Sequence, residues 1–313
     1  MTNMIIFDTD LGLGTPRCEV DDGAALIQLL GLFPGQVAAV TTVHGNGDIE
    51  DVMQNTCRLL SYLGREDIPV GRGAASGLIE QKLWFQEWQD GYGQTPKWPI
   101  PATFPASANL IIDLVRAHPH EVTIIAVGPL TNLALALRLA PDIEPLVKQI
   151  VTMGGSFGDA EPTPEFNAQC DPEAAHVVLT AEWPIKIIGL NITKQIPFSL
   201  ADFASLPEWN PAITLLKQCA PAWIERVTGM GWGDGDCSLH DALAVSAAAD
   251  PTLFTWQAMS VDVALVGAER GITRMLDGVS GEIENGASVQ VAIAVDVEKC
   301  RDLIWQHLVN PRS

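Results

Sequence analysis

Short β-branched runs alternate along the chain with longer segments whose apolar residues recur at helical spacing. Met4–Phe7, Val37–Val43, Ile68–Val70, Val122–Val127, Gln149–Thr152 and Ile185–Leu190 predict strands. Most lack the strict alternation of a strand wetted on one face, and so read as central parallel strands buried on both. Between them, Asp22–Leu32, Ile49–Leu63, Ala108–Ala117, Leu130–Leu139 and Pro172–Ala181 predict amphipathic helices. This order points to an α/β fold, a mostly parallel, Rossmann-like sheet flanked by helices.

The second half is less regular. Leu200–Thr228 has helical pattern interrupted by Pro207, Pro211 and Pro221, and Gly229, Gly231, Gly233 and Gly235 follow. Val261–Val266 and Val289–Val295 predict late strands and Glu298–Leu308 a closing helix. Aromatic and proline residues crowd Trp84–Pro105, which predicts a long surface loop of the kind that is functional or mobile. With no low-complexity linker or internal repeat, residues 1–313 are expected to form one domain.

Charge narrows the partners. Lys and Arg number 18 against 38 Asp and Glu, a net charge of −20, which argues against nucleic acid and against an anionic membrane surface. No signal peptide is apparent at the N-terminus, and no apolar stretch is long enough to span a bilayer. The six scattered cysteines form no C-x-x-C pair, so reduced thiols in a cytoplasmic protein are expected.

In an open α/β sheet, ligands bind beyond the carboxyl ends of the strands. Here those ends carry Asp8-Thr9-Asp10, His44-Gly45-Asn46, Gly128-Pro129-Leu130-Thr131-Asn132, Met153-Gly154-Gly155 and Asn191, with Glu165-Phe166-Asn167 in the loop after the fifth strand. Asp21-Asp22 opens the first helix, where acids also serve simply as caps. Yet Asp8, Asp10, Asp21 and Asp22 are four carboxylates within fifteen residues, and they repel one another unless a cation or proton lies among them. Hard oxygen ligands suit calcium or magnesium, and such a site can activate water. His240-Asp241, after the glycine-rich stretch, reads either as a structural helix start or as an acid–base pair. Trp84, Trp88 and Trp232 could stack on a flat ligand or pack against the body of the protein.

Taken in order, these motifs, with Asp171-Pro172-Glu173-Ala174-Ala175 and His240-Asp241-Ala242-Leu243, resemble the inosine-uridine preferring nucleoside hydrolases over nearly the whole chain. The resemblance implies hydrolysis of the N-glycosidic bond of a ribonucleoside, with a calcium ion (Ca2+) held by Asp10, Asp22, Asp241 and the Val127 carbonyl. Asp10 would take the proton from a water in that shell. Asp21, Asn46, Glu165 and Asn167 would hold ribose oxygens, Met153 would pack beneath the sugar, and Asp8 would support from behind. His240 is the candidate acid for the leaving base, and Trp88 and Trp232 are candidates for contacting it. A homodimer or homotetramer is the expected assembly.

The chain departs from the family pattern in three places. Ten residues, Leu11 to Val20, separate Asp10 from Asp21 where the family has a much shorter spacer; this segment is either an extruded loop or a cover that brings Arg17 or Glu19 to the pocket. Asp159 stands where an Asn commonly contacts the 5′ side of ribose. The loop around Glu87-Trp88 lacks the His of pyrimidine-active members, whereas His240 is more like that branch, so the base preference is open. Two alternatives compete: a magnesium phosphohydrolase of the haloacid dehalogenase type with Asp8 as nucleophile, and a catalytically silent nucleoside- or calcium-binding protein.

Overall fold

A computed structural model describes residues 4–79, 88–158, 163–276 and 289–310. In chain order, β1 (Met4–Thr9), α1 (Asp21–Leu32), β2 (Val37–Thr42), α2 (Ile49–Tyr62), β3 (Val70–Gly71), α3 (Ser107–Ala117), β4 (Val122–Ala126), α4 (Thr131–Leu139) and β5 (Gln149–Met153) make the first half. The second half continues with α5 (Phe166–Cys170), α6 (Pro172–Leu179), β6 (Ile185–Ile188), α7 (Leu190–Thr193), β7 (Pro197–Ser199), α8 (Leu200–Ser205) and α9 (Pro211–Gly229). It closes with β8 (Asp236–Ser238), α10 (His240–Ala249), β9 (Phe254–Met259), β10 (Val261–Val263), β11 (Thr273–Met275), β12 (Val289–Val295) and α11 (Val297–Val309).

Eight strands form one sheet in the order β3-β2-β1-β4-β5-β6-β12-β9. Every pairing is parallel except β12 with β9. The unbroken apolar runs of β1, β4 and β5 are buried along nearly their whole length, as expected of central strands covered on both faces. Helices α1 and α10 pack against each other. Asp21 through Leu29 and Asp241 through Ala247 are buried, so the first turns of both helices lie inside the protein.

Several boundaries differ from expectation. The Ile68–Val70 run shrinks to the two-residue edge strand β3, because Pro69 has no N–H for the ladder and its carbonyl only accepts from Val40 N at 3.0 Å. Ile185–Leu190 stops at Ile188, and Leu190 opens a short helix instead. Val261–Val266 supplies only β10, which pairs with β11 in a separate antiparallel ribbon outside the main sheet. In the Leu200–Thr228 region the chain breaks around Pro207, Pro211 takes the first turn of α9, and Pro221 is absorbed inside that helix. Residues 90–105 form neither helix nor strand apart from turns, as a surface loop should. No helix among the described residues is long and apolar enough to cross a membrane.

Candidate active site

The carboxyl ends of β1, β2, β4 and β5 converge with the N-termini of α1 and α10. Asp10, just past β1, is fully buried. Its Oδ2 accepts the Asn46 N–H at 2.7 Å, and its Oδ1 is buried with no hydrogen-bond partner. The chain passes this carboxylate through glycine for a steric reason: a Cβ on Gly45 would sit 1.8 Å from Asp10 Oδ2, and one on Gly128 2.8 Å from Oδ1.

Asp22, one residue into α1, accepts a hydrogen bond from the Thr9 hydroxyl at Oδ1 and one from Asn46 Nδ2 at 3.2 Å at Oδ2. Its carboxyl also lies within hydrogen-bonding reach of Asp241, which comes from the first turn of α10 more than two hundred residues later. Burial, and then the charge of Asp21, push Asp22 up to about 7. Burial, and then Asp22, raise Asp10 well above the usual carboxylate range; for Asp241, burial is followed by Asp21 and Asp22. These acids therefore crowd one water-poor volume, where a divalent cation would reverse the cost of their mutual repulsion. The donor set fits a hard ion, being all oxygen. No Lys or Arg side chain bonds these acids among the described residues.

The ten-residue spacer is not extruded. Leu11 to Thr15 and Cys18 to Val20 are buried, and only Pro16 and Arg17 are exposed. It brings Glu19, 2% exposed, to the acids: Glu19, Asp21 and Asp22 each offer an oxygen within 4.8 Å of the others. Arg17 stays at the surface.

Asp8 is fully buried, and its Oδ2 has no hydrogen-bond partner. Its Oδ1 accepts from Thr41 Oγ1 at 2.5 Å and from Asn132 Nδ2 at 2.8 Å, and burial moves it up to about 7 against these two bonds. Asn132 also donates to the Thr42 carbonyl at 2.7 Å, so the strand-exit motif after β4 braces the ends of β1 and β2.

On the other flank, Glu165 caps α5. Its oxygens accept the N–H groups of Asn167 at 2.8 Å, Ala168 at 3.1 Å and Gly155 at 3.1 Å. Burial raises its pKa against those bonds. Asn167 Nδ2 donates to the Val127 carbonyl at 2.7 Å and lies 3.9 Å from Met153 Sδ. Thus Val127, Met153, Glu165 and Asn167 share one wall. His240 Nδ1 pairs with Thr193 Oγ1 at 2.7 Å; burial lowers its pKa, and Asp21 opposes the shift.

An aromatic group stands beside this wall. Trp88 contacts Phe166 at 5.4 Å between centroids and stacks on Trp232 at 5.2 Å with 22° between planes. Arg226 lies over Trp88 and Tyr92, at 5.0 and 4.5 Å from the ring centroids, and donates to the Trp88 carbonyl at 2.7 Å. The two indoles touch directly and leave no slot between them, and Trp232 is 64% exposed. Trp84, Glu87 and Asp159 lie outside the described residues.

Sequence reasoning named most of this set. It left Glu19 as one of two options, and it missed Thr9 and Thr193, the hydroxyls that orient Asp22 and His240. Each of the latter sits at a helix or strand end beside a motif residue, and a search for hydroxyls at strand ends would have found Thr9.

Residues 5–302 match the family model for inosine-uridine preferring nucleoside hydrolase. The chain is 31% identical to an inosine-uridine preferring nucleoside hydrolase of Leishmania major over 96% of this chain and 95% of that one. It is 32% identical to a non-specific ribonucleoside hydrolase of Salmonella newport, again covering 96% and 95%. Among solved structures it is similar to a purine-preferring ribonucleoside hydrolase of Gardnerella vaginalis, with TM-score 0.84 and 26% identity over 99% of each chain. The chain belongs to the inosine-uridine preferring nucleoside hydrolase family.

Proposed function

We propose that this nucleoside hydrolase uses calcium to cleave the N-glycosidic bond of ribonucleosides, giving ribose and free base. The observation that carries the reading is that Asn46 bonds both Asp10 and Asp22, with Asp241 from the far end of the chain within reach of Asp22 and Asp10 Oδ1 buried and unpartnered. Asp10, Asp22, Asp241 and the Val127 carbonyl would hold the ion. Bound calcium would orient the ribose 2′- and 3′-hydroxyls and acidify the attacking water.

The chain's own groups do the rest. Asp10 Oδ1 accepts the proton of that water while Oδ2 stays anchored by Asn46 N–H, so the base is fixed in direction before substrate arrives. Water oxygen bonds to C1′ as the C1′–N bond breaks, and the departing base gains the electron pair and needs a proton. Positive charge grows on the sugar ring, and the surrounding acids and amide oxygens stabilise it. Asp21, Asn46, Glu165 and Asn167 would bind sugar oxygens over Met153, with Asp159 placed by the resemblance at the 5′ side. Glu165 has backbone N–H partners at both oxygens, so it offers the sugar only their remaining lone pairs. Thr193 Oγ1 lies 2.7 Å from His240 Nδ1; in the tautomer where this hydroxyl donates, the ring proton is on Nε2, the form a neutral imidazole needs to donate to the base. Trp232, backed by Trp88, would stack on the base.

This reading takes residues 1–313 as one catalytic domain and includes a homo-oligomeric assembly. It also includes a cytoplasmic location, as expected of a chain whose scattered cysteines form no C-x-x-C pair. Asp8 Oδ1 is held by Thr41 and Asn132, Oδ2 is buried without a partner, and no Lys bonds Asp8 among the described residues, which weighs against the phosphohydrolase alternative. Side-by-side incubation with inosine, uridine, adenosine and cytidine, read by reducing-sugar release, tests the proposal. Sugar release supports it. Phosphate release from an aryl phosphate without sugar release would favour the phosphohydrolase, and nucleoside binding with neither activity a silent protein.

A further inference from the structure

The long spacer between Asp10 and Asp21 poses a physical problem for Asp22. A loose loop of ten residues would leave the start of α1, and with it Asp22, poorly fixed relative to β1. The fold removes that freedom. Thr15 N bonds Gly12 O at 2.9 Å and Cys18 N bonds Thr15 O at 3.1 Å, so the segment is two successive turns. Asn55 Nδ2, from α2, reaches the Leu11 and Gly12 carbonyls and Thr15 Oγ1 at 3.0–3.3 Å. At the tip, Pro16 O accepts from Gly93 N at 2.9 Å, and Thr15 Oγ1 lies 2.6 Å from Thr95 Oγ1.

Glu19 closes the base of this segment. One carboxylate oxygen accepts the Gly12 N–H and the other the Asp22 N–H, the latter at 3.1 Å. One side chain thus bridges the exit of β1 and the first turn of α1. The formal cap position of α1 is Val20, which has no side-chain acceptor, so Glu19 supplies the cap from one residue further out. Gly12 is needed for the approach: a Cβ there would lie 2.2 Å from Cys18 Sγ and 2.7 Å from Glu19 Oε1. A second observation ties the clamp to ligand binding. Asp10 Oδ1, buried and unpartnered, belongs to the same group of acids as Asp22.

We propose that Glu19 is a positioning residue of the cation site: its carboxylate clamps Gly12 to Asp22 so that Asp22 faces Asp10 and Asp241. The inference rests on the calcium reading of the site and adds a residue that the spacer alone contributes. Gln at this position would present an NH2 donor to one of the two N–H groups and break that half of the clamp. Ala would remove both halves.

The test titrates metal-stripped protein with calcium chloride alone, by calorimetry, and records melting with and without calcium. Glu50→Gln serves as the control, since it removes one exposed acid of the same charge. Wild type and Glu50→Gln should bind with equal affinity, and Glu19→Gln about tenfold or more weakly. Glu19→Ala should be weaker still, and if it does not fold, Glu19→Gln decides. A residue that only shores up the loop would lower the melting temperature of the metal-free protein and leave calcium affinity of the folded protein unchanged. That outcome, or wild-type affinity in Glu19→Gln, overturns the proposal while sparing the calcium reading. No calcium binding by wild type overturns both.

Discussion

The Asn46 N–H donates to Asp10 Oδ2 at 2.7 Å, and this one bond determines which oxygen of Asp10 is left for chemistry. The other oxygen is buried without a partner beside Asp22 and Asp241. A buried acceptor in that state costs stability, so the protein carries it for a ligand or a proton. Asp10→Ala removes both the proposed base and an ion ligand. Sugar release from nucleosides should fall at least about a hundredfold to ten-thousandfold. Far-UV circular dichroism should stay close to wild type and melting should stay cooperative, at a temperature no lower than that of the calcium-stripped wild type; wild-type turnover in this variant would refute the role of Asp10.

Gly45 gives a steric test of the same relationship. A methyl group there would lie 1.8 Å from Asp10 Oδ2 and 2.5 Å from its Cγ, so either the loop or the carboxylate must move. Gly45→Ala should destabilise by about 1–3 kcal/mol, as overpacking does, and should depress activity with it. Urea unfolding and nucleoside turnover measure the two effects; normal values for both would mean that Asp10 is not held as described.

Removing calcium should lower stability as well as rate, because an ion bound only by the folded state stabilises it. At a hundredfold excess over Kd the contribution is about 2.7 kcal/mol. Melting in a chelator and again with calcium restored should differ by several degrees, with activity following the same cycle. An unchanged melting temperature and an unchanged rate would exclude a structural and catalytic calcium.

His44 supplies a pH dependence outside the acid group. Burial lowers its pKa from 6.5 to about 4, and its Nε2 lies 3.2 Å from Thr131 Oγ1. Because the folded pKa lies below the unfolded one, the unfolded chain binds the extra proton first. The stabilisation is therefore complete above about pH 6.5 and is lost as the pH falls toward 4, amounting to ~3 kcal/mol across the window. Asp8, raised to about 7, acts in the opposite sense, losing stability as the pH rises through that value, so wild type alone does not isolate His44. The comparison with His44→Gln does. Its loss of stability between pH 7 and 4.5, by urea unfolding, should be smaller than that of wild type; equal losses would show that His44 is not buried in its neutral form.

Much of this architecture was legible because buried parallel strands announce themselves as unbroken apolar runs and the ligand-binding edge follows from topology. That logic singled out Asp10, Asn46 and the strand-end motif of Met153, the crowding of acids and the start of α10 pointed to Asp22 and Asp241, and the Val127 carbonyl came from the resemblance alone. The edge strand β9 escaped because the exposed Thr255, Gln257 and Ala258 interrupt its pattern, Phe254 and Met259 alone being buried. Pro221 misled because a helix packed on the body of the protein tolerates one missing N–H. Glu19 was legible only as a candidate, since its partners are backbone N–H groups, which leave no trace in residue type. The direct Trp88–Trp232 stack was equally hidden, because nothing in spacing says whether two indoles separated by more than a hundred residues touch or leave a gap.

The central claim is that acids from the two ends of the chain share one cation. A crystal structure grown with calcium tests it most directly. The account predicts one ion with carboxylate oxygens of Asp10, Asp22 and Asp241 at about 2.3–2.6 Å. An ion bound elsewhere, with no carboxylate from α10 within reach of those from β1 and α1, would contradict it.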